Sequence, residues 1–259
     1  MYGIRKVIIL IANKLIPASL LEKYRHNRYI KRQEEDKNKS TEETFTEIYK
    51  LNKWGGEKNE FCSGGGSIDV PTVSPYISMI SEKAHTEGFL GLTFVDLGCG
   101  DFRVGSQLLS LCSKYIGIDI VKSLVDRNQE KYGNDNIRFI HMNIIEDELP
   151  DGEVCFVRQV LQHLSNQQII KILPKLTKYK WVFITEHYPS DNKTIKPNTD
   201  KVHGMDIRIN VNSGVYLLLS PFNLSKQQLS LVLEVPSGTI RDTRLDQGVI
   251  RTFLYKPKD

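Results

Sequence analysis

The chain has 259 residues, 40% of them hydrophobic and 25% charged, the composition of a soluble globular protein with a sizeable core. Its four cysteines form no C-x-x-C pair and no Cys/His cluster of zinc spacing, which argues for reduced thiols in a cytoplasmic protein and against a metal site. The formal charge of +4 is uneven: residues 1–33 hold eight Lys and Arg against one acid, Glu22, and positions 34–259 carry a net −3, so no nucleic-acid surface is expected outside that arm.

The arm, MYGIRKVIILIANKLIPASLLEKYRHNRYIKRQ, has an apolar run too short to span a bilayer and no small-residue cleavage site. Ile4, Ile8, Ile11 and Leu15 share a helical face, with Arg5, Lys6 and Lys14 around it. Such a basic amphipathic helix either packs on protein, its own domain or a second subunit, or rests peripherally on the anionic inner membrane face. Residues 33–43, QEEDKNKSTEE, lack periodicity and read as a linker, giving an N-terminal unit over 1–43 and a second over 44–259. The next helix starts at one of two capping boxes, Ser40 with Glu43 or Thr44 with Glu47. After the glycine-rich WGGEKNEFCSGGGS, a further helix is predicted from beyond Pro75 through ISMISEKAH.

From residue 92 the pattern alternates. Strands are predicted at 93–97, 114–119, 137–142, 153–158 and 180–186, and helices at 104–113, 122–132 and 165–176, with Pro174 kinking or ending the last. Strand and helix in this rhythm give an α/β fold with a doubly wound, mostly parallel sheet. LSLVLEV (229–235) and VIRTFLYK (249–256) have no helix between them and read as an antiparallel pair closing the edge of a seven-stranded sheet.

In such a sheet, ligands lie outside the carboxyl ends of the strands. Gly98 and Gly100, in VDLGCGDFRVG, follow the first strand and allow close approach of an anionic or polar group to backbone. Asp119 ends the second strand 19 residues after Gly100, where an acid takes ribose hydroxyls, so an adenosine-containing cofactor is expected. A dinucleotide fits poorly: Arg103 stands in the third glycine's place, Gly105 comes two residues late, and Asp96 would crowd a pyrophosphate. Asp96 suits a cation, and S-adenosylmethionine carries an ammonium and a sulfonium.

VDLGCGDFRVG, YIGIDIV, IRFIHMNI and EVCFVRQVLQHLSNQQIIKIL, taken in order, resemble the successive motifs of class I S-adenosylmethionine-dependent methyltransferases over residues 92–186. The resemblance implies a cofactor-binding core in which Gly98, Cys99 and Gly100 line the methionine end, Asp96 faces the ammonium and Asp119 holds the ribose. Ile120 would pack on adenine, with Ile144 and Gln159 completing the contacts. Asn143 stands where the family often has an acid for the adenine amino group; it accepts through its amide oxygen or simply caps the next turn. FTEIYKLNKWGGEKNEFCSGGGS resembles a bacterial branch linked to cell-surface, capsular polysaccharide synthesis, which implies that Trp54, Ser63, Gly66 and Ser67 in a covering segment (44–91) fold over the cofactor, the serines donating to its carboxylate. NTDKVHGMDIRINVNSGVYLLLSPFNL, within 187–228, resembles that branch's substrate-binding stretch more loosely, and 229–259 would supply the last strands. The implied acceptor is a glycan-related or nucleotide-linked small molecule, methylated on a sugar hydroxyl or on a phosphate or phosphoramidate oxygen.

His163 in VLQHLS and His187 in ITEHYP follow the fourth and fifth strands and are the candidate bases, the second with Glu186 beside it to orient the ring and raise its pKa. Arg208 in DIRIN is the candidate grip on an anionic substrate, and Tyr188 a candidate pocket wall. Two other readings stay open: a nicotinamide-dependent oxidoreductase on the related sheet, and a non-catalytic binding module that recruits partners through the basic arm.

Overall fold

The computed structural model describes residues 18–56, 60–190, 194–237 and 248–257. The predicted helical face of Ile4, Ile8, Ile11 and Leu15 lies outside the described residues. Helices α1 (Ala18–Asp36), α2 (Thr41–Lys50), the single turn α3 (Gly65–Ile68) and α4 (Val70–Thr86) precede β1 (Leu92–Leu97). Then come β2 (Cys112–Asp119), α5 (Lys122–Tyr132), β3 (Ile137–His141), β4 (Val154–Arg158), α6 (Asn166–Ile172), β5 (Trp181–Pro189), β6 (Leu229–Pro236) and β7 (Gly248–Tyr255).

The strands form one sheet in the order β3-β2-β1-β4-β5-β7-β6. The first five in that order run parallel, and β7 lies antiparallel to both β5 and β6. This is the predicted doubly wound sheet with its antiparallel edge. Strand order reverses between β1 and β4, so the crevice opens at their carboxyl ends.

Side chains alternate across the sheet and build two cores. Phe94, Phe156 and Phe183 face α4 with Ile80 and Ala84, while Val95, Val157 and Ile184 face α6 with Ile169 and Ile172. Phe156 touches Phe94 and Phe183 at centroid separations of 5.1 and 5.6 Å, a ladder of rings across three neighbouring strands.

Several boundaries differ from the sequence reading, each for a local reason. Residues 33–36 continue α1 rather than forming a linker, because Arg32 and Gln33 find partners on residues 202–206. Of the two capping boxes the chain uses Ser40 with Glu43; Thr44 is buried inside α2. Helix α4 starts at Val70, before Pro75, whose missing N–H and ring act only on the first turn, where the ladder has little to lose. The stretch 104–113 is a 3-10 turn over Gly105–Leu111; a Cβ on Gly105 would lie 2.1 Å from the Tyr115 hydroxyl, and the chain enters β2 at once. Ser165 and Gln168 cap α6, which passes at Pro174 into a 3-10 turn, Leu173–Lys178. Strand β5 runs three residues past its predicted end because β7 pairs with it as far as Pro189.

The segment after β5 is irregular and packs under α1 and the start of α2. The Arg32 guanidinium donates twice to Asp206, at 2.7 and 2.5 Å. Val202 N–H donates to Gln33 Oε1 at 2.7 Å, and a His203 ring nitrogen lies 3.1 Å from the Lys39 carbonyl. Gly204 N–H donates to the His163 carbonyl at 2.9 Å, which ties this segment to the chain beyond β4.

Candidate cofactor and substrate cleft

A cavity partly open to solvent lies at the carboxyl ends of β1, β2 and β4 beneath α2. Its floor is the turn after β1. Gly98 and Gly100 have φ of +74° and +57°, a region that disfavours side chains. A Cβ on Gly98 would come within 2.5 Å of Val160 Cγ2, and one on Gly100 within 2.3 Å of Ser63 Oγ. Both positions thus need glycine twice over, for conformation and for space.

Two buried carboxylates flank that turn and line the cavity. Asp119 accepts from Gly100 N–H at 3.1 Å through Oδ2 and from Val121 N–H at 3.0 Å through Oδ1. Burial raises its pKa to about 6 against the lowering effect of these backbone donors. Asp96 takes a hydrogen bond from the Tyr115 hydroxyl; burial raises it to about 6 as well, opposed by that hydroxyl and by the charge of Arg158. Asp119 and the glycine turn are therefore in direct contact.

Arg158, at the end of β4, is the residue the sequence reading missed. It lines the cavity, its guanidinium lies 5.1 Å from the Tyr76 ring centroid, and Nη2 donates to the Gly66 carbonyl at 2.8 Å. Its Nε is buried without a partner, and desolvation lowers its pKa. A buried guanidinium with an unused N–H calls for an anion. The signal was present: a charge inside the apolar EVCFVRQVL, at a strand end that faces the crevice. Gln159 follows with φ +56°, also lining the cavity, and its backbone N–H donates to the Thr185 carbonyl at 2.6 Å.

The covering segment closes the other side. Trp54, Ser63 and Ser67 line the cavity. The Tyr49 and Ser63 hydroxyls are 2.8 Å apart, Ser63 Oγ accepts from Asp101 N–H at 2.8 Å, and Ser63 N–H donates to Asp101 Oδ2 at 3.0 Å. The Ser67 hydroxyl donates to the Gly64 carbonyl at 2.9 Å. Ser63 and Ser67 thus hold the segment while lining the cavity. Gly66 acts through its carbonyl on Arg158, and its lack of a side chain matters because a Cβ would fall 1.8 Å from Gln159 Oε1.

At the far end Cys99, Ile120, Asn143 and Ile144 line the cavity. Asn143 Oδ1 accepts from Ile145 N–H at 3.0 Å, so this amide oxygen serves the turn, the second of the two roles its position allowed.

His163 walls the cavity with its ring, whose centroid is 5.2 Å from Trp54 and 6.4 Å from Phe45. Its nitrogens are engaged: Nδ1 lies 3.1 Å from the Gly204 carbonyl, and Nε2 lies 3.4 Å from Gln162 Nε2. Burial, then the charge of Lys201, lowers its pKa to about 3. The candidate base is thus a weakly basic ring in the cavity wall.

Three further expectations are corrected. His187 lies within β5, not at its end, and does not line the cavity; burial lowers its pKa to about 4 rather than Glu186 raising it. Glu186 points the other way and accepts from Val160, Leu161 and Gln162 N–H at 3.2, 2.8 and 3.0 Å, because consecutive residues of a strand face opposite sides. Tyr188 is buried away from the cavity, its hydroxyl donating to the Val215 carbonyl at 2.7 Å. Arg208 is 1% exposed and donates to the Thr199 carbonyl and, at 2.8 Å, to that of Leu164. None of the described residues of 187–228 lines the cavity.

Residues 94–179 match a family described as a methyltransferase domain, a stretch from β1 to the turn before β5 that includes Asp96, the glycine turn, Asp119 and Arg158. Among solved structures, 1,6-didemethyltoxoflavin-N1-methyltransferase from Burkholderia thailandensis, with bound 1,6-didemethyltoxoflavin and S-adenosylhomocysteine, is 12% identical at a TM-score of 0.54, covering 83% of this chain and 86% of its own. Magnesium protoporphyrin IX methyltransferase from Synechocystis PCC 6803, with bound S-adenosylmethionine, is 14% identical at a TM-score of 0.52, covering 84% and 98%. The N-methyltransferase NodS from Bradyrhizobium japonicum WM9, with S-adenosylhomocysteine, is 11% identical at 0.50, covering 72% and 88%. At these identities the likeness establishes the fold. No curated protein matches the sequence.

Proposed function

We propose, for a chain that is an S-adenosylmethionine-dependent methyltransferase, that the methyl acceptor is an oxygen of a small glycan-related or nucleotide-linked precursor of surface polysaccharide. Within such a molecule a phosphate or phosphoramidate oxygen fits better than a sugar hydroxyl. The observation that carries this choice is His163: both its ring nitrogens are engaged and burial lowers its basicity, so it is a poor base for a hydroxyl acceptor, whereas an anionic oxygen needs none. Phe45, Trp54 and His163 together offer flat apolar surface to a sugar or base ring. The likeness of residues 45–67 to the capsule-linked branch supports the same substrate class.

The residues present fit the cofactor. The glycine turn is a cradle that any Cβ would fill, Asp96 and Asp119 offer buried negative charge, and the orphaned Nε of Arg158 asks for a carboxylate. When bound, S-adenosylmethionine supplies an activated methyl on a sulfonium. In this reading Asp96 holds its ammonium, Arg158 its carboxylate and Asp119 the ribose hydroxyls, with Ile120 and Ile144 against the base. The chain's own contribution to rate is alignment and exclusion of water, worth about 7–11 kcal/mol when complete.

The test is transfer of labelled methyl to a panel of nucleotide sugars, phosphorylated glycans and their phosphoramidates. The expected outcome is a methyl ester of a phosphoryl oxygen, with kcat flat above neutral pH. A methylated sugar hydroxyl with kcat rising through neutrality would replace the phosphoryl reading, and methylation on nitrogen would remove the oxygen acceptor altogether.

A further inference from the structure

Among the described side chains of α1, those that meet the body lie near its C-terminal end. Tyr29 and Asp36 are buried and Arg32 and Gln33 half-buried, whereas Ser19, Leu20, Lys23, Tyr24, His26, Asn27 and Arg28 are all exposed. At about 100° per residue, the face opposite Tyr29 and Asp36 carries Leu20, Asn27, Lys31 and Glu34, flanked by Lys23 and Tyr24, with Arg28 at its edge. Leu20 is 60% and Tyr24 58% exposed, and the Arg28 guanidinium lies 5.9 Å from the Tyr24 ring centroid. The acids of the same helix, Glu34 and Glu35, fall in its last turn, where Glu35 meets Lys31 at 3.7 Å; Glu22 is the single acid before them in the sequence.

We propose that this outward face of α1 is a docking surface for an anionic lipid bilayer. Leu20 and Tyr24 sit at the headgroup level, and Lys23, Arg28 and Lys31 neutralise phosphate. Charge complementarity selects the partner: residues 1–33 hold eight Lys and Arg against one acid, on a body of net −3 that an anionic bilayer would itself repel. The residues just before α1 in sequence include Val7, Ile8, Ile9, Leu10 and Ile11, which suit an acyl boundary better than an acidic protein face. Among the described residues no helix is long and apolar enough to cross a membrane, so the contact is peripheral. The proposal does not depend on the acceptor or on the cofactor roles above.

The experiment is cosedimentation of the full chain with vesicles of phosphatidylcholine alone or with about one-third phosphatidylglycerol. Binding is expected only to the anionic vesicles and to fall steeply with added salt. Each basic residue at such a surface contributes roughly fivefold, so Lys23→Glu with Arg28→Glu and Lys31→Glu should cost about a hundredfold or more. Leu20→Ser with Tyr24→Ser should also weaken binding, and both variants should bind S-adenosylhomocysteine as the unaltered chain does. Equal binding to neutral vesicles, anionic binding that both variants retain, or a stable dimer that these substitutions dissociate would overturn the proposal.

Discussion

Two groups of buried charge stand at adjacent strand ends and do different work. Around the glycine turn, Asp96, Asp119 and Arg158 line a cavity, whereas a buried Nε without a partner is common to Arg158 and to Arg208 beyond β5. Beyond β5, Glu186, Lys201 and Arg208 are as deeply buried, but their hydrogen bonds go to backbone: Glu186 to three N–H groups, Arg208 to two carbonyls, and Lys201 Nζ to the carbonyls of His163 and Val202 at 3.2 and 2.6 Å. The first group is built to meet a ligand. The second replaces the ladder that an irregular segment lacks, since buried backbone must be paired with something.

The contrast can be broken by separating stability from affinity. Arg208→Ala should have the largest effect, a loss of about 3 kcal/mol in denaturant unfolding, from two orphaned carbonyls and a cavity. Its S-adenosylhomocysteine Kd, by calorimetry well below the transition, should stay within about twofold; a collapse in affinity with stability intact would erase the distinction. Asp119→Ala should do the reverse, weakening cofactor affinity by about 1–3 kcal/mol with a smaller change in unfolding. Arg158→Met should weaken S-adenosylhomocysteine by about 1.5–3 kcal/mol yet leave 5′-methylthioadenosine, which has no carboxylate, unaffected; equal loss for both would place Arg158 in the scaffold.

Acid sharpens the same comparison. Asp96 and Asp119 must be ionised to hold an ammonium and to accept from ribose, so affinity should fall as pH drops through about 6. Their effect on the ligand-free fold has the opposite sign. A carboxyl raised from 3.8 to about 6 contributes stability that is present below 3.8 and lost as pH rises through 6. His163 and His187, lowered from 6.5 to about 3 and 4, contribute stability present above 6.5 and lost as pH falls toward those values. Calorimetric Kd and unfolding free energy between pH 5 and 8 should therefore diverge, affinity falling on the acid side more steeply than stability. The smallest effect belongs to Ser40→Ala, about 1 kcal/mol from the lost cap of α2.

The parallel core and its antiparallel edge were legible because period-two apolar runs, glycines and helix patterns agree with one another there. So were Asp96, Gly98, Gly100 and Asp119, which sit in short turns fixed by the strands they follow. The errors cluster where long-range partners decide. His187 looked like a strand end because nothing local announces that β7 will extend β5 to Pro189. Arg208 looked like an anion grip because a guanidinium's partners, here the carbonyls of Thr199 and Leu164, leave no trace in the neighbouring sequence. Residues 33–36 looked like a linker because the partners that hold this end of the helix, Asp206 for Arg32 and Val202 for Gln33, lie far along the chain. Arg158 was overlooked for the converse reason: a charge in an apolar strand invites a packing explanation before a chemical one.

Helix α1, about 28 Å long, is gripped at one end by Asp206 and Val202, two residues from the Gly204 that holds His163. It is a lever with its fulcrum beside the aromatic wall. A tilt of the helix about that grip would reach the His163 ring through residues 202–206.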